Sequence, residues 1–156
     1  MKTAVDVVTG TEREQTRARY PDVEGYVERD GVRLFYEVYG SGEPTVLLLP
    51  TWSILHSRHW KMQIPYLARH CRVLAFDGRG NGRSDRPLEP SAYDEREFAA
   101  DALAVMDATD TVTATIVGFS LGAQRALLLA ALTWGESWKR DAQTPARGRT
   151  GYCSTE

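Results

Sequence analysis

Gly118-Phe119-Ser120-Leu121-Gly122 holds the residue types in this chain that could break a carbonyl bond. An apolar run at 113–117 precedes it and reads as a strand, and residues 123–132 follow and read as a helix. A serine in G-x-S-x-G between strand and helix is a nucleophile elbow, a strained turn that lifts the hydroxyl above the sheet edge. Glycines suit positions 118 and 122 because a Cβ there would crowd the turn. The chemistry is acyl transfer: the Ser120 hydroxyl attacks a carbonyl carbon once a base removes its proton. The base is harder to find, because the histidines are His56, His59 and His70, and all precede Ser120.

The elements that must carry the elbow can be read outward from it. Residues 1–22 are polar, without periodicity, and read as a flexible N-terminal arm. Residues 25–29 and 32–39 alternate and are rich in β-formers, and the Asp30-Gly31 link between them signals a hairpin. Continuous apolar runs at 45–49 and 72–76 read as strands buried on both faces. Trp60, Ile64 and Leu67 lie at helical spacing. Asp94 reads as an N-cap with Glu97 reaching back to the free amides, and the helix behind it places Phe98, Ala102, Val105 and Met106 on one face. A strand at 111–117 leads into the elbow. This order predicts an α/β body over residues 23–133. Its sheet is mostly parallel with an N-terminal antiparallel hairpin, helices on both faces and right-handed crossovers. Residues 134–156 contain no Val, Ile, Leu, Met or Phe and read as a polar, disordered or out-of-frame tail.

Composition removes several function classes. Apolar residues make up 42% of the chain, enough for a core, and a net charge of -2 gives no pull toward nucleic acid or an anionic membrane. There is no apolar run long enough to span a bilayer, and the N-terminus lacks the apolar region of a secretion signal, so a cytoplasmic location is expected. Cys71 and Cys153 are far apart, without metal or redox spacing. His56 and His59 have H-x-x-H spacing, but zinc needs at least three protein ligands and no third is near. The loop at 77–90 begins a Gly-x-Gly dinucleotide pattern and then fails it, with Arg83 at the third glycine position and Pro87 where a helix should open. Arg79 and Asp85 read as anchors of that loop, and no cofactor or metal is expected. Trp52 and Trp60 read as packing residues, Trp52 with a place at the pocket mouth.

Three blocks in order carry a resemblance: Leu47-Leu48-Leu49-Pro50-Thr51-Trp52, then residues 76–87 from Phe76 to Pro87, then Gly118 to Gly122. On them the chain resembles the N-terminal part of the α/β-hydrolase superfamily, serine hydrolase or esterase type, over about residues 23–132. The resemblance implies an incomplete α/β-hydrolase fold and a small-molecule acyl substrate: an ester, thioester, amide or related carbonyl compound. It makes Ser120 the nucleophile. It assigns the backbone N–H groups of Leu121 and Trp52 to the oxyanion hole, although most relatives carry His-Gly where this chain has Pro50-Thr51. A serine at the elbow separates the chain from relatives that use Asp there to open epoxides or displace halides. The family order is Ser, then Asp or Glu, then His. The acidic residues after the elbow helix are Glu136, Asp141 and Glu156, all within the segment read as a tail. The expectation is a truncated or frame-shifted copy, inactive alone.

Two alternatives stand beside it. One is a minimal esterase in which His56, on the loop after the third strand, serves Ser120 as a dyad base. The other is a non-enzymatic binding domain that self-associates through the sheet edge at 111–117.

Overall fold

A computed structural model describes residues 18–52 and 54–141. One sheet holds β1 (Val23–Arg29), β2 (Val32–Tyr39), β3 (Thr45–Leu48), β4 (Arg72–Phe76) and β5 (Thr115–Val117), in the spatial order β1-β2-β4-β3-β5. The hairpin forms as expected. Asp30 and Gly31 take φ of 51° and 75°, the positive values that a tight two-residue turn between twisted strands requires. The β1–β2 and β2–β4 pairs are antiparallel, whereas β4–β3 and β3–β5 are parallel. The sheet is thus mixed rather than mostly parallel, because β2 lies beside β4 and adds a second antiparallel pairing to that of the hairpin.

Helices cover both faces. On one side α2 (Glu95–Ala108) and α3 (Leu121–Asp141) pack through Ala99, Ala102, Val105 and Leu129 on Leu34, Leu47, Leu74 and Phe76. On the other, α1 (Gln63–Leu67) and the 3-10 turn Ser57–Trp60 pack through Ile64 and Trp60 on Val46, Leu48, Val73 and Ala75. Successive residues of β3 and β4 alternate between the two cores. That explains their unbroken apolar runs: both faces are covered, so no position needs a polar side chain. At the β5 edge Thr115 is exposed, and a groove of about 580 Å³ opens beside it between Leu103, Met106, Ile116 and Leu129.

Several boundaries differ from the sequence reading. β5 starts at Thr115 rather than 111. Thr111 N–H donates to the Met106 carbonyl at 2.8 Å, and its Oγ1 accepts from Arg72 Nη1 at 2.6 Å, so these residues close α2 before the strand begins. The N-cap forms through the Asp94 carboxylate, which accepts from Arg96 N–H at 2.9 Å. The Glu97 carboxylate does not complete a capping box; it pairs with Arg29. α3 continues to Asp141, through the first residues of the segment read as a tail. A lack of Val, Ile, Leu, Met and Phe argues against burial but not against helix, and the first proline there is Pro145. Residues 142–156, with Cys153 and Glu156, lie outside the described residues, as do residues 1–17 of the arm. The end of the arm is tied down: Asp22 N–H donates to Val38 O at 2.9 Å, and Arg19 Nη1 to Ala68 O at 3.1 Å. Among the described residues no helix is long and apolar enough to cross a membrane.

Candidate active site

β5 ends at Val117 and α3 begins at Leu121, so the turn between them has three residues. Ser120 sits in it at φ 57°, the left-handed region that costs a residue with a Cβ about 1–2 kcal/mol. Its exposed position matches a nucleophile elbow rather than a serine inside a regular helix. Shape requires glycine at 118 and favours it at 122. A methyl group on Gly118 would collide with the Gly122 carbonyl oxygen, and one on Gly122 would lie 3.1 Å from the Pro50 carbonyl oxygen. The first close contact is the elbow folding on itself. The second is the elbow helix lying directly against the loop after β3.

That loop supplies the second oxyanion candidate. Leu49 N–H donates to Val117 O at 2.9 Å, which carries the β3–β5 ladder up to the turn. Trp60 Nε1 donates to Leu49 O at 3.1 Å and Arg125 Nη1 to Pro50 O at 3.4 Å. Trp52 follows, 54% exposed, so it is not the packing residue the sequence suggested; Trp60 is. Between Pro50 and Trp52, Thr51 is buried and its hydroxyl has no hydrogen-bond partner. On the other side of the turn Gly122 N–H donates to Phe119 O at 2.9 Å and Ala123 N–H to Ser120 O at 3.0 Å. The Leu121 N–H is the first amide of α3, with no intrahelical acceptor and the positive end of the helix dipole behind it. An anion above Ser120 would therefore meet a donor already oriented.

The two histidines of the loop after β3 have hydrogen-bond partners of their own. His56 Nδ1 accepts from Arg58 N–H at 3.2 Å and caps the 3-10 turn. The ring borders a separate cleft of about 220 Å³ with Phe35, Asp77, Gly82 and Arg83. His59 Nδ1 lies 2.9 Å from the His56 carbonyl, which makes it the protonated nitrogen. Burial pushes the His59 ring below its ordinary pKa and keeps it neutral. Among the described residues no His, Asp or Glu is hydrogen-bonded to Ser120.

The loop after β4 behaves as an anchored element, as read from sequence. The Asp77 carboxylate accepts from Ser57 N–H at 2.7 Å and Arg83 N–H at 2.9 Å. Arg79 forks onto Asp101 at 2.7 and 2.6 Å, and Asp85 Oδ2 accepts from Arg33 N–H at 2.9 Å. Sequence reading missed Arg125 and Glu95. The signal was present: one arginine within the apolar run 126–132 and its approach needs a buried partner, but nothing local names that partner.

Comparison with known proteins identifies the family and the fold. The model of the alpha/beta hydrolase fold family matches residues 44–137. Rhodomycin D methylesterase DauP of Streptomyces sp. is 38% identical over 109 residues, which cover 67% of this chain and 36% of that protein. Epoxide hydrolase A of Mycobacterium tuberculosis is 38% identical over 102 residues, 64% of this chain and 31% of that protein. Among solved structures, Est816, described as an N-acyl homoserine lactone degrading enzyme, superposes with a TM-score of 0.64 at 36% identity, over 69% of this chain and 40% of that one. The chain spans about a third of the length of the curated relatives it matches.

Proposed function

The chain belongs to the α/β-hydrolase family, and on that premise we propose that it carries the nucleophile half of a serine hydrolase site acting on an ester, thioester or amide carbonyl. Ser120 is the nucleophile. The Leu121 and Trp52 N–H groups receive the oxyanion, and each such donor is worth roughly 100- to 1000-fold in rate. The observation that carries this reading is the left-handed Ser120 between Gly118, which has no room for a Cβ, and Gly122, where a Cβ would crowd the Pro50 carbonyl. Strain of this kind persists where the fold over-determines it, and it collects at reactive residues. A methylesterase and a lactone-degrading enzyme among the similar proteins favour an ester-type carbonyl.

No histidine follows Ser120 in this chain, so the base that the family order places after the nucleophile has no counterpart here. The 156-residue chain then has no triad turnover, and its residual rate is about 1000- to 10,000-fold over water, from oxyanion and binding contributions alone. Free imidazole can stand in for the base. A fluorophosphonate with added imidazole should phosphonylate the chain but not its Ser120→Ala variant. His56→Ala should react like the unsubstituted chain, because His56 caps a turn elsewhere. Phosphonylation without imidazole that disappears in His56→Ala would sink the assignment of the base and establish the dyad.

A second reading, a binding domain that pairs with a second copy through β5, is favoured by the uncovered groove and by Val112, 93% exposed at its rim. Sedimentation tests it: a monodisperse dimer abolished by Val112→Lys supports it, and a monomer at all concentrations removes it.

A further inference from the structure

We propose that Arg125 is a positioning residue that clamps the loop after β3 against the elbow and so holds the Thr51 and Trp52 amides still beside Ser120. The proposal rests on the reading of Ser120 as nucleophile and adds to it the device that shapes the oxyanion site.

Arg125 lies five residues after Ser120 on α3. It is 2% exposed and heads the largest fully buried side chains of the molecule. A buried guanidinium needs partners for its donors, and here two different elements supply them, α2 and the loop after β3. Nε and Nη2 fork onto Glu95 Oε2 and Oε1 at 2.8 and 3.2 Å, at the first turn of α2. The cation lies 3.7 Å from the centroid of the Phe98 ring, also on α2. Nη1 reaches Pro50 O at 3.4 Å.

The Glu95 fork and the Phe98 contact would suffice to fasten α3 to α2. The contact to Pro50 does something else. A peptide unit is planar, so fixing the Pro50 carbonyl also fixes the direction of the Thr51 N–H and the point from which the Thr51–Trp52 unit starts. Pro50 has no N–H of its own, so its carbonyl is the available backbone handle. The neighbouring carbonyls are held in the same manner from other elements. Trp60 Nε1 donates to Leu49 O at 3.1 Å, and Asn81 Nδ2 lies 3.5 Å from Trp52 O. The loop from Leu49 to Trp52 is thus gripped from the 3-10 turn, from α3 and from the loop after β4. The grip from α3 comes from the helix that also presents Ser120, so the nucleophile and the loop share one rigid mount. An oxyanion donor is effective only when it needs no reorganisation during the reaction.

Backbone 15N relaxation tests the clamp without relying on turnover. In the unsubstituted protein the Thr51 and Trp52 amides should show order parameters near those of β3, about 0.85, and Arg125→Met should lower them below about 0.6 while β3 and β4 stay unchanged. Phosphonylation of Ser120 with imidazole should slow at least about 10-fold in the same variant. Glu95→Gln leaves the contact to Pro50 in place, should move both readouts the same way by less, and carries the test if Arg125→Met does not fold. Unchanged order parameters at 51 and 52, or an equal loosening of β3 and β4, would overturn the proposal and leave Arg125 a fastener of helices. A loop that loosens in Arg125→Met while Ser120 takes no adduct even in the unsubstituted protein upholds the clamp and removes the nucleophile reading instead. A rigid loop with equal adduct rates in both proteins removes the clamp and keeps the nucleophile.

Discussion

Two loops leave the same end of the sheet and differ in how their polar groups are used. The loop after β4 is self-sufficient. Asp77 is capped by two backbone amides, and Ser84 Oγ donates to Asp77 O at 2.6 Å while accepting from Phe35 N–H at 2.8 Å. Arg79 is closed onto Asp101, and positive φ is taken there by Gly80 and Gly82. The elbow after β5 is the reverse. Its positive φ falls on a serine, that serine is exposed, and no acid or base among the described residues bonds its hydroxyl. A loop whose buried polar side chains are closed onto the chain is built to hold its own shape. A strained residue with an unspent hydroxyl is what the proposed nucleophile requires.

Substitutions can sharpen or break that contrast. The largest effect belongs to Asp101→Ala, which strands Arg79 in the interior. Breaking a buried pair from one side should cost about 3–5 kcal/mol, read as a lowered urea midpoint. Next is Gly82→Ala. Its Cβ would meet the Asp77 carboxylate at φ 50°, so a loss of about 1–3 kcal/mol is expected in the same assay. Ser120→Gly should move the other way. Relief of the left-handed conformation outweighs the extra chain entropy glycine loses, for a gain of roughly 0.5 kcal/mol. Equal signs at positions 82 and 120 would erase the distinction between the two loops. The smallest effect is on pH. Burial depresses the His59 pKa, and the hydrogen bond from Gly40 N–H, followed by Arg19, depresses that of Asp22. Both groups contribute stability that is fully present above their unfolded pKa values and lost as pH falls. Thermal midpoints should therefore begin to slip below about pH 6.5 and again below about pH 4, with the first step absent in His59→Gln.

What the sequence made legible and what it hid follow one physical line. The Asp30-Gly31 hairpin, the Asp94 cap and the elbow are local: their residue types meet a backbone demand within a few positions. The alternating burial of β3 and β4 is nearly local, since a doubly covered strand writes itself as an apolar run. The partners of charged side chains are not local. Glu97 looks like a capping residue until Arg29, 68 positions away, claims it. Arg125 finds Glu95 across 30 residues and Pro50 across 75. The start of β5 was misjudged for the same reason, because Arg72 draws Thr111 into the helix end. Composition is a poor guide at the far end of α3, where the lack of Val, Ile, Leu, Met and Phe does not prevent a helix.

The most direct test of the whole account is acyl trapping. The 156-residue protein is mixed with an activated short-chain ester, with and without imidazole, and quenched; tandem mass spectrometry then locates the acyl group. The account predicts an acyl group on Ser120 that forms only with imidazole and is missing from Ser120→Ala. Rapid turnover without imidazole, or acylation that persists undiminished in Ser120→Ala, would contradict it.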